Sequence, residues 1–143
     1  MPFFARWPGK VEPGSKCNRV ITHTDLFATV TEVAGAKIPK DAAADSYSYL
    51  SLLLGNEKKY SRPPVIHHSA GGMFAIREGE WKLILGNGSG GRQAPKGKPF
   101  GKPYFLANMK TDSDEQKNFA PSESKTVERL EKAFQKIHKN ERR

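Results

Sequence analysis

Apolar positions along the 143-residue chain fall into short groups separated by polar, glycine-rich and proline-rich stretches. Residues 2–7 are aromatic and apolar and stop at Pro8-Gly9, which predicts a brief strand running into a turn. Leu26, Phe27, Val30, Val33 and Ala34 recur with the period of one helix face, so residues 22–34 predict an amphipathic helix. Thr22 or Thr24 is placed to cap it, Asp25 suits its positive end, and Gly35 is placed to stop it. Such an apolar face calls for a sheet or a helix to cover it. Residues 36–45 read as loop, 47–54 as a short helix ended by Gly55, and 57–62 as a polar connection.

Pro63-Pro64 forces extended backbone and leads into Val65-Ile66-His67-His68, a predicted strand. Residues 73–76 and 81–85 flank Arg77-Glu78-Gly79-Glu80, where glycine supplies the positive φ of a tight reversal, so the pair predicts a β-hairpin. Alternation puts Phe74 and Ile76 on one face, groups Trp81, Leu83 and Leu85, and leaves Lys82 and Ile84 on the other side. Residues 87–103 form a long glycine-rich loop, of the sort that is either functional or disordered, and residues 104–109 resume as a strand. After the polar residues 110–118, Ser122 is placed to cap a last helix with Val127, Leu130, Ala133, Phe134 and Ile137 as its buried stripe. Glu128 and Lys132 form an i,i+4 pair there, a contribution of a few tenths of a kcal/mol.

Composition fits this outline. With 36% hydrophobic and 27% charged residues, 13 Gly and 10 Pro, the core is lean and much of the chain irregular: a small α+β unit, or part of something larger. The net charge of +9 favours an anionic partner. The bases are dispersed, however, and only residues 132–143 are dense with them. No recognition motif is present, so nucleic acid is not expected as a partner. The single cysteine, Cys17, excludes an internal disulfide and a cysteine-based zinc site. MPFFARWPGK is too short an apolar start for a signal peptide, and no run approaches the ~18 apolar residues that span a membrane.

The chemistry centres on HHSAGGMFAIREGEWKLIL, residues 67–85. Adjacent histidines on a strand point to opposite faces, so His67 and His68 cannot together grip one metal ion. One of them facing a cleft as a hydrogen-bond donor or acid is the functional reading, and a satisfied structural histidine is the competing one. His23 and His138 sit near helix ends and read as cap or surface residues. The stretch Gly86-Asn87-Gly88-Ser89-Gly90-Gly91-Arg92 lacks the Gly-Lys-Ser/Thr ending of a phosphate loop and is followed by Gln93-Ala94-Pro95 instead of a helix, although Arg92 and Lys96 suit an anionic ligand. Cys17, in Lys16-Cys17-Asn18-Arg19, has no base oriented toward it and reads as an incidental thiol.

Several segments resemble, in order, the C-terminal third of bacterial arylsulfatases. They are Pro2-Phe3-Phe4-Ala5-Arg6-Trp7-Pro8-Gly9-Lys10, Thr24-Asp25-Leu26-Phe27-Ala28-Thr29 with Gly35 after it, and HHSAGGMFAIREGEWKLIL. So does the run from Leu106 to Phe119, which is similar to the family's Leu-Tyr-Asp/Asn-Leu-x-x-Asp-Pro-x-Glu-x-x-Asn-Leu segment. The resemblance implies an α+β chain: the C-terminal fragment of an alkaline-phosphatase-like α/β sulfatase fold, with a small antiparallel β-sheet packed on a C-terminal helix. Residues 1–55 would be the terminal strand and helices of the catalytic α/β domain, which explains a strand lacking partners at the start, and 60–143 the C-terminal subdomain. Ala107 stands where the family has an aromatic, a loss expected to thin the subdomain core at about 3 kcal/mol, and Ser113 stands where it has Pro.

The family hydrolyses sulfate esters with a formylglycine made from a Cys/Ser-x-Pro/Ala-Ser-Arg motif beside a calcium ion held by acidic residues and an Asn. No such motif occurs here, because Cys17 is followed by Asn18-Arg19-Val20 and Ser61-Arg62 follows Lys59-Tyr60. No catalytic or metal residue can therefore be carried over, and no cofactor is expected in this chain itself. What the resemblance implies is a substrate rim: His67, His68 and Arg92 contacting the organic or sugar part of a sulfated small molecule or glycan. The expected function is thus the C-terminal part of a sulfuric ester hydrolase, inactive alone and partnered by the N-terminal sulfatase region. The competing reading is a stand-alone basic module that binds sulfated polysaccharide. The family is usually periplasmic or secreted.

Overall fold

The computed structural model describes residues 3–140, and the chain divides between Arg62 and Pro63 into two units. The first holds helix α1 (Asp25–Val33), the one-turn helix α2 (Leu50–Leu53) and a 3₁₀ turn at Glu57–Lys59. Both α-helices end as the sequence predicts. After α1, Gly35 adopts φ +66 while its N–H bonds Glu32 and the N–H of Ala36 bonds Thr31. After α2, Gly55 adopts φ +72 while its N–H bonds Leu52 and that of Asn56 bonds Ser51. The positive φ turns the chain so that two successive N–H groups cover the last free carbonyls, a geometry that glycine enters without a Cβ penalty.

The face that α1 buries is the opposite of the expected one. Leu26, Phe27, Val30 and Val33 are 46–55% exposed, whereas Asp25, Ala28 and Thr29 are buried. The irregular segment after α1 accounts for the inversion, because its backbone N–H groups need acceptors and the polar side of the helix supplies them. Asp25 Oδ1 accepts from the Tyr47 N–H at 3.0 Å, and Thr29 Oγ1 accepts from the Tyr49 N–H at 3.0 Å. Ser46 Oγ in turn accepts from the Ala28 N–H at 2.9 Å and donates to the Thr24 carbonyl at 2.6 Å. Neither Thr22 nor Thr24 caps α1: their hydroxyls bond each other, and the Thr22 N–H is held by Asp25 Oδ2 at 2.7 Å.

Pro2 lies outside the described residues, and residues 3–7 form no strand. An extended segment needs a neighbouring strand for its backbone groups, and none among the described residues pairs with it. The Trp7 carbonyl closes a turn instead, accepting from Lys10 and Val11 at 3.0 and 2.9 Å, and the Phe3 ring meets Tyr49 edge-on at 5.5 Å.

The second unit is an antiparallel sheet covered on one face by a helix. Strands β1 (Val65–His68), β2 (Phe74–Glu78) and β3 (Trp81–Asn87) lie in sequence order, and β3 pairs on its far side with β4 (Lys98–Pro99) and β5 (Phe105–Asn108). The predicted hairpin is present, with Glu78 opposite Trp81 and Gly79 at φ +57 in the two-residue loop. Register then fixes which side chains share a face. Ile66, Ile76, Leu83 and Leu106 are aligned across four strands, and helix α3 (Ser124–Asn140) lays Leu130 and Phe134 over them. Ile76, Leu83, Leu85, Leu106 and Leu130 are fully enclosed, each contributing about 1.5–3 kcal/mol by burial.

Ser122 does not cap α3: its hydroxyl donates to the Phe119 carbonyl, and the carboxylate of Glu123 accepts from Thr126 Oγ1 at 3.2 Å. Among the described residues no ion pair joins Glu128 to Lys132; the salt bridge from this helix runs from Arg129 to Glu78 on β2. Residues 141–143, the end of the basic stretch, lie outside the described residues.

Ala107 is wholly buried, but it faces Lys82 on the sheet side away from α3. The missing aromatic ring therefore does not thin the core between sheet and helix. The polar run that follows is a set of backbone staples. Asn108 Oδ1 accepts from Lys110 and Thr111, and the Asp112 carboxylate accepts from Gln116 and Lys117, which holds its pKa below the usual value. Glu115 pairs with Lys82. Asn118 Oδ1 accepts from Leu106 at 3.0 Å while its amide donates to the Tyr104 carbonyl at 3.1 Å, so it prolongs the edge of β5 with side-chain bonds.

Candidate substrate-binding site

Strand β1 sends its two histidines to opposite faces, as alternation requires. His67 stands on the face away from α3, opposite Ala75, with Arg77 and Lys82 further along the same face. Partial burial holds its pKa below 6.5; the Lys82 charge adds to this, the Glu115 charge opposes it, and Arg77 and His68 add smaller contributions. His67 is therefore a neutral hydrogen-bonding group at pH 7.

His68 lies on the other face and joins an aromatic group at one end of the sheet. Its Nδ1 is 3.0 Å from the Ser69 carbonyl, and its ring centroid is 5.5 Å from that of Phe74. Phe74 also meets Phe134 at 5.4 Å, His138 at 5.3 Å and Phe100 at 5.8 Å. His138 stacks on Phe134 with 16° between planes, so it is part of this group and not a helix cap. The sequence missed the group because its members come from β1, β2, the loop before β5 and α3. Only Phe74 and Phe134 carried a periodic signal.

The glycine-rich loop is close-packed around Met73. A Cβ on Gly86 would lie 1.7 Å from Met73 Sδ, and one on Gly97 would lie 2.6 Å from its Cε. The loop is tied internally by the Ser89 and Gly97 N–H groups, which bond the Pro95 and Ser89 carbonyls at 3.0 and 2.9 Å. It touches the turn after β1, where the Gly71 N–H donates to the Gly90 carbonyl at 3.3 Å. The end of β1 and the loop are thus brought together, with His68 on one and Arg92 on the other. Arg92 is exposed, like Lys96 and Lys98. His67 is on the far side of the sheet, so the three expected residues do not converge on one point.

A groove of about 330 Å³ lies between the start of α3 and residues 102–104, lined in part by Lys102, Tyr104, Glu128 and Glu131. The Tyr104 hydroxyl donates to Glu131 at 3.2 Å, and burial, with the Glu131 charge second, raises its pKa. Calcium and formylglycine are implied by the resemblance for the full-length family. Among the described residues no three His, Cys, Asp or Glu side chains are gathered for a metal ion, and Cys17 is an exposed free thiol. Asp25 is committed to Arg62 and to backbone N–H groups.

No family model matches the chain. Its sequence relatives are sulfatases. The N-acetylgalactosamine-6-O-sulfatase of Bacteroides thetaiotaomicron is 36% identical over 84 residues, 59% of this chain and 16% of the relative. The ulvan-active sulfatase of Formosa agariphila is 46% identical over 57 residues, 40% of this chain and 11% of the relative. Among solved structures, a Bacteroides thetaiotaomicron sulfatase from work on its metabolism of multiple glycosaminoglycans superposes with a TM-score of 0.74 at 27% identity, over 92% of this chain and 28% of that one. The small antiparallel sheet with its C-terminal helix is accordingly part of an alkaline-phosphatase-like fold, as the motifs implied. The matched segments amount to 16% and 11% of the length of these two curated relatives.

Proposed function

We propose, on the premise that this chain matches the C-terminal portion of a sulfatase in sequence and fold, that it serves a sulfuric ester hydrolase as a substrate-rim and docking part, without a reacting centre of its own. The observation that carries the reading is the inversion of α1. Leu26, Phe27, Val30 and Val33 form an apolar face left open to solvent. Contiguous exposed apolar surface marks an interaction site. Its occupant in this reading is the sulfatase catalytic region, which would supply the nucleophile and the calcium.

The chain's own residues bind and orient. His68 and Arg92, at the joined end of β1 and the glycine loop, and His67 on the far face of the sheet are proposed to contact the organic or sugar part of a sulfate ester. The surplus of basic groups favours an anionic ligand such as a sulfated glycan. The purified chain, incubated with an aryl sulfate and calcium, is expected to show no turnover; calcium-dependent hydrolysis would refute the reading.

The exposed Arg92, Lys96 and Lys98, together with the net charge of +9, favour a second reading, a self-sufficient module for sulfated polysaccharide. Salt-sensitive retention of a folded monomer on a sulfated glycan, with no gain on adding a catalytic region, would favour that module.

A further inference from the structure

We propose that Phe100, backed by Phe74, is a stacking platform for one saccharide ring of an acidic glycan, with His68 and His138 packed on the same Phe74 ring. Phe100 is 49% exposed, yet its backbone is held at φ +59. That region is costly for a bulky residue, and such strain persists only where the surrounding structure enforces it. Here its N–H bonds the Leu85 carbonyl at 2.7 Å. The ring meets Phe74 at 5.8 Å with 30° between planes and Phe134 at 6.0 Å, so it is packed on one side while about half of the residue stays open. A side chain needed only for the core would be enclosed like Leu85, on the strand it bonds.

The chemistry around the ring selects the ligand. The C–H faces of a pyranose lie flat on aromatic rings, and the imidazoles of His68 and His138, each within 5.5 Å of the Phe74 centroid, extend the surface with groups that hydrogen-bond hydroxyls. The exposed Lys98 lies two residues before Phe100, and Lys96 and Arg92 lie on the same loop, so the neighbourhood is basic. An uncharged sugar would leave these charges unused. A saccharide bearing a sulfate or carboxylate uses both. The sulfated class of glycan rests on the proposed function; the platform itself rests on the aromatic geometry.

The test is a titration of the ¹⁵N-labelled chain with 6-O-sulfated N-acetylgalactosamine and, separately, with the unsulfated sugar. Shifts are expected at His68, Phe100 and His138, with the sulfated sugar binding more tightly. Phe100→Gly and Phe100→Ala are each expected to weaken binding at least about 10-fold, while Phe100→Gly is the more stable of the two because glycine accepts the positive φ. Undiminished binding by either folded variant, shifts confined to other residues, or no binding by the parent chain would overturn the platform. Equal affinity for the two sugars would overturn its acidic-glycan specificity. None of these readouts depends on hydrolysis, so loss of the sulfatase reading and loss of the platform would be told apart.

Discussion

Arg62 reaches back across the first unit to the fully buried carboxylate of Asp25, with Nη1 2.5 Å from Oδ2. The same carboxylate holds the Thr22 and Tyr47 N–H groups, so one side chain joins the start of α1, the irregular segment and the last residue of the unit. Removing one partner of a buried pair leaves the other charge uncompensated, at about 3–5 kcal/mol. Asp25→Ala and Arg62→Ala are each expected to abolish the unit's thermal transition or lower it sharply. A double-mutant cycle in urea checks the coupling.

The inverted α1 face predicts a contrast within one helix. Phe27→Ser and Val30→Ser should change stability by no more than about 0.5 kcal/mol, as surface substitutions do. Thr29→Val should cost about 1–3 kcal/mol because the Tyr49 N–H loses its acceptor. The same two serine substitutions should reduce association with a sulfatase catalytic region, measured by light scattering of the mixture.

Close packing around Met73 predicts that Gly86→Ala destabilises the second unit by about 1–3 kcal/mol. Combining it with Met73→Ala should recover part of the loss, since the thioether is the nearest obstacle. Additive losses in the pair, read from denaturant midpoints, would argue against this packing.

His67 gives stability a sign with pH. Its folded pKa lies below 6.5, so between that lower value and 6.5 the unfolded chain binds more protons than the folded one. Stability contributed by neutral His67 is therefore full above pH 6.5 and is lost as pH falls through the folded pKa. His67→Gln should flatten that part of the stability profile, measured by thermal denaturation between pH 5 and 8.

Much of the fold was legible because its signals are local. Gly35, Gly55 and Gly79 mark two helix stops and a hairpin, and period-two alternation grouped Phe74 with Ile76 and Leu83 with Leu85; the register across strands then aligned Ile76, Leu83 and Leu106. Residues 3–7 misled because a strand is made by its neighbours as much as by its own residues. The α1 face misled for a related reason: periodicity shows that two faces exist, and it took the needs of Tyr47 and Tyr49 to decide which turned inward. Of the candidate site, the histidine strand and the loop could be read, whereas the aromatic group around Phe74 is assembled from segments about 70 residues apart, from His68 to His138.

In the function proposed above, this chain completes a sulfatase and does not hydrolyse sulfate esters by itself. The most direct measurement is aryl sulfate turnover by a calcium-loaded, formylglycine-bearing sulfatase catalytic region lacking its own counterpart of these residues, with and without this chain added. Turnover that rises with added chain and saturates, and fails to do so with Phe27→Ser/Val30→Ser, is the predicted result. Turnover unaffected by the chain, or hydrolysis by the chain alone, would contradict the account.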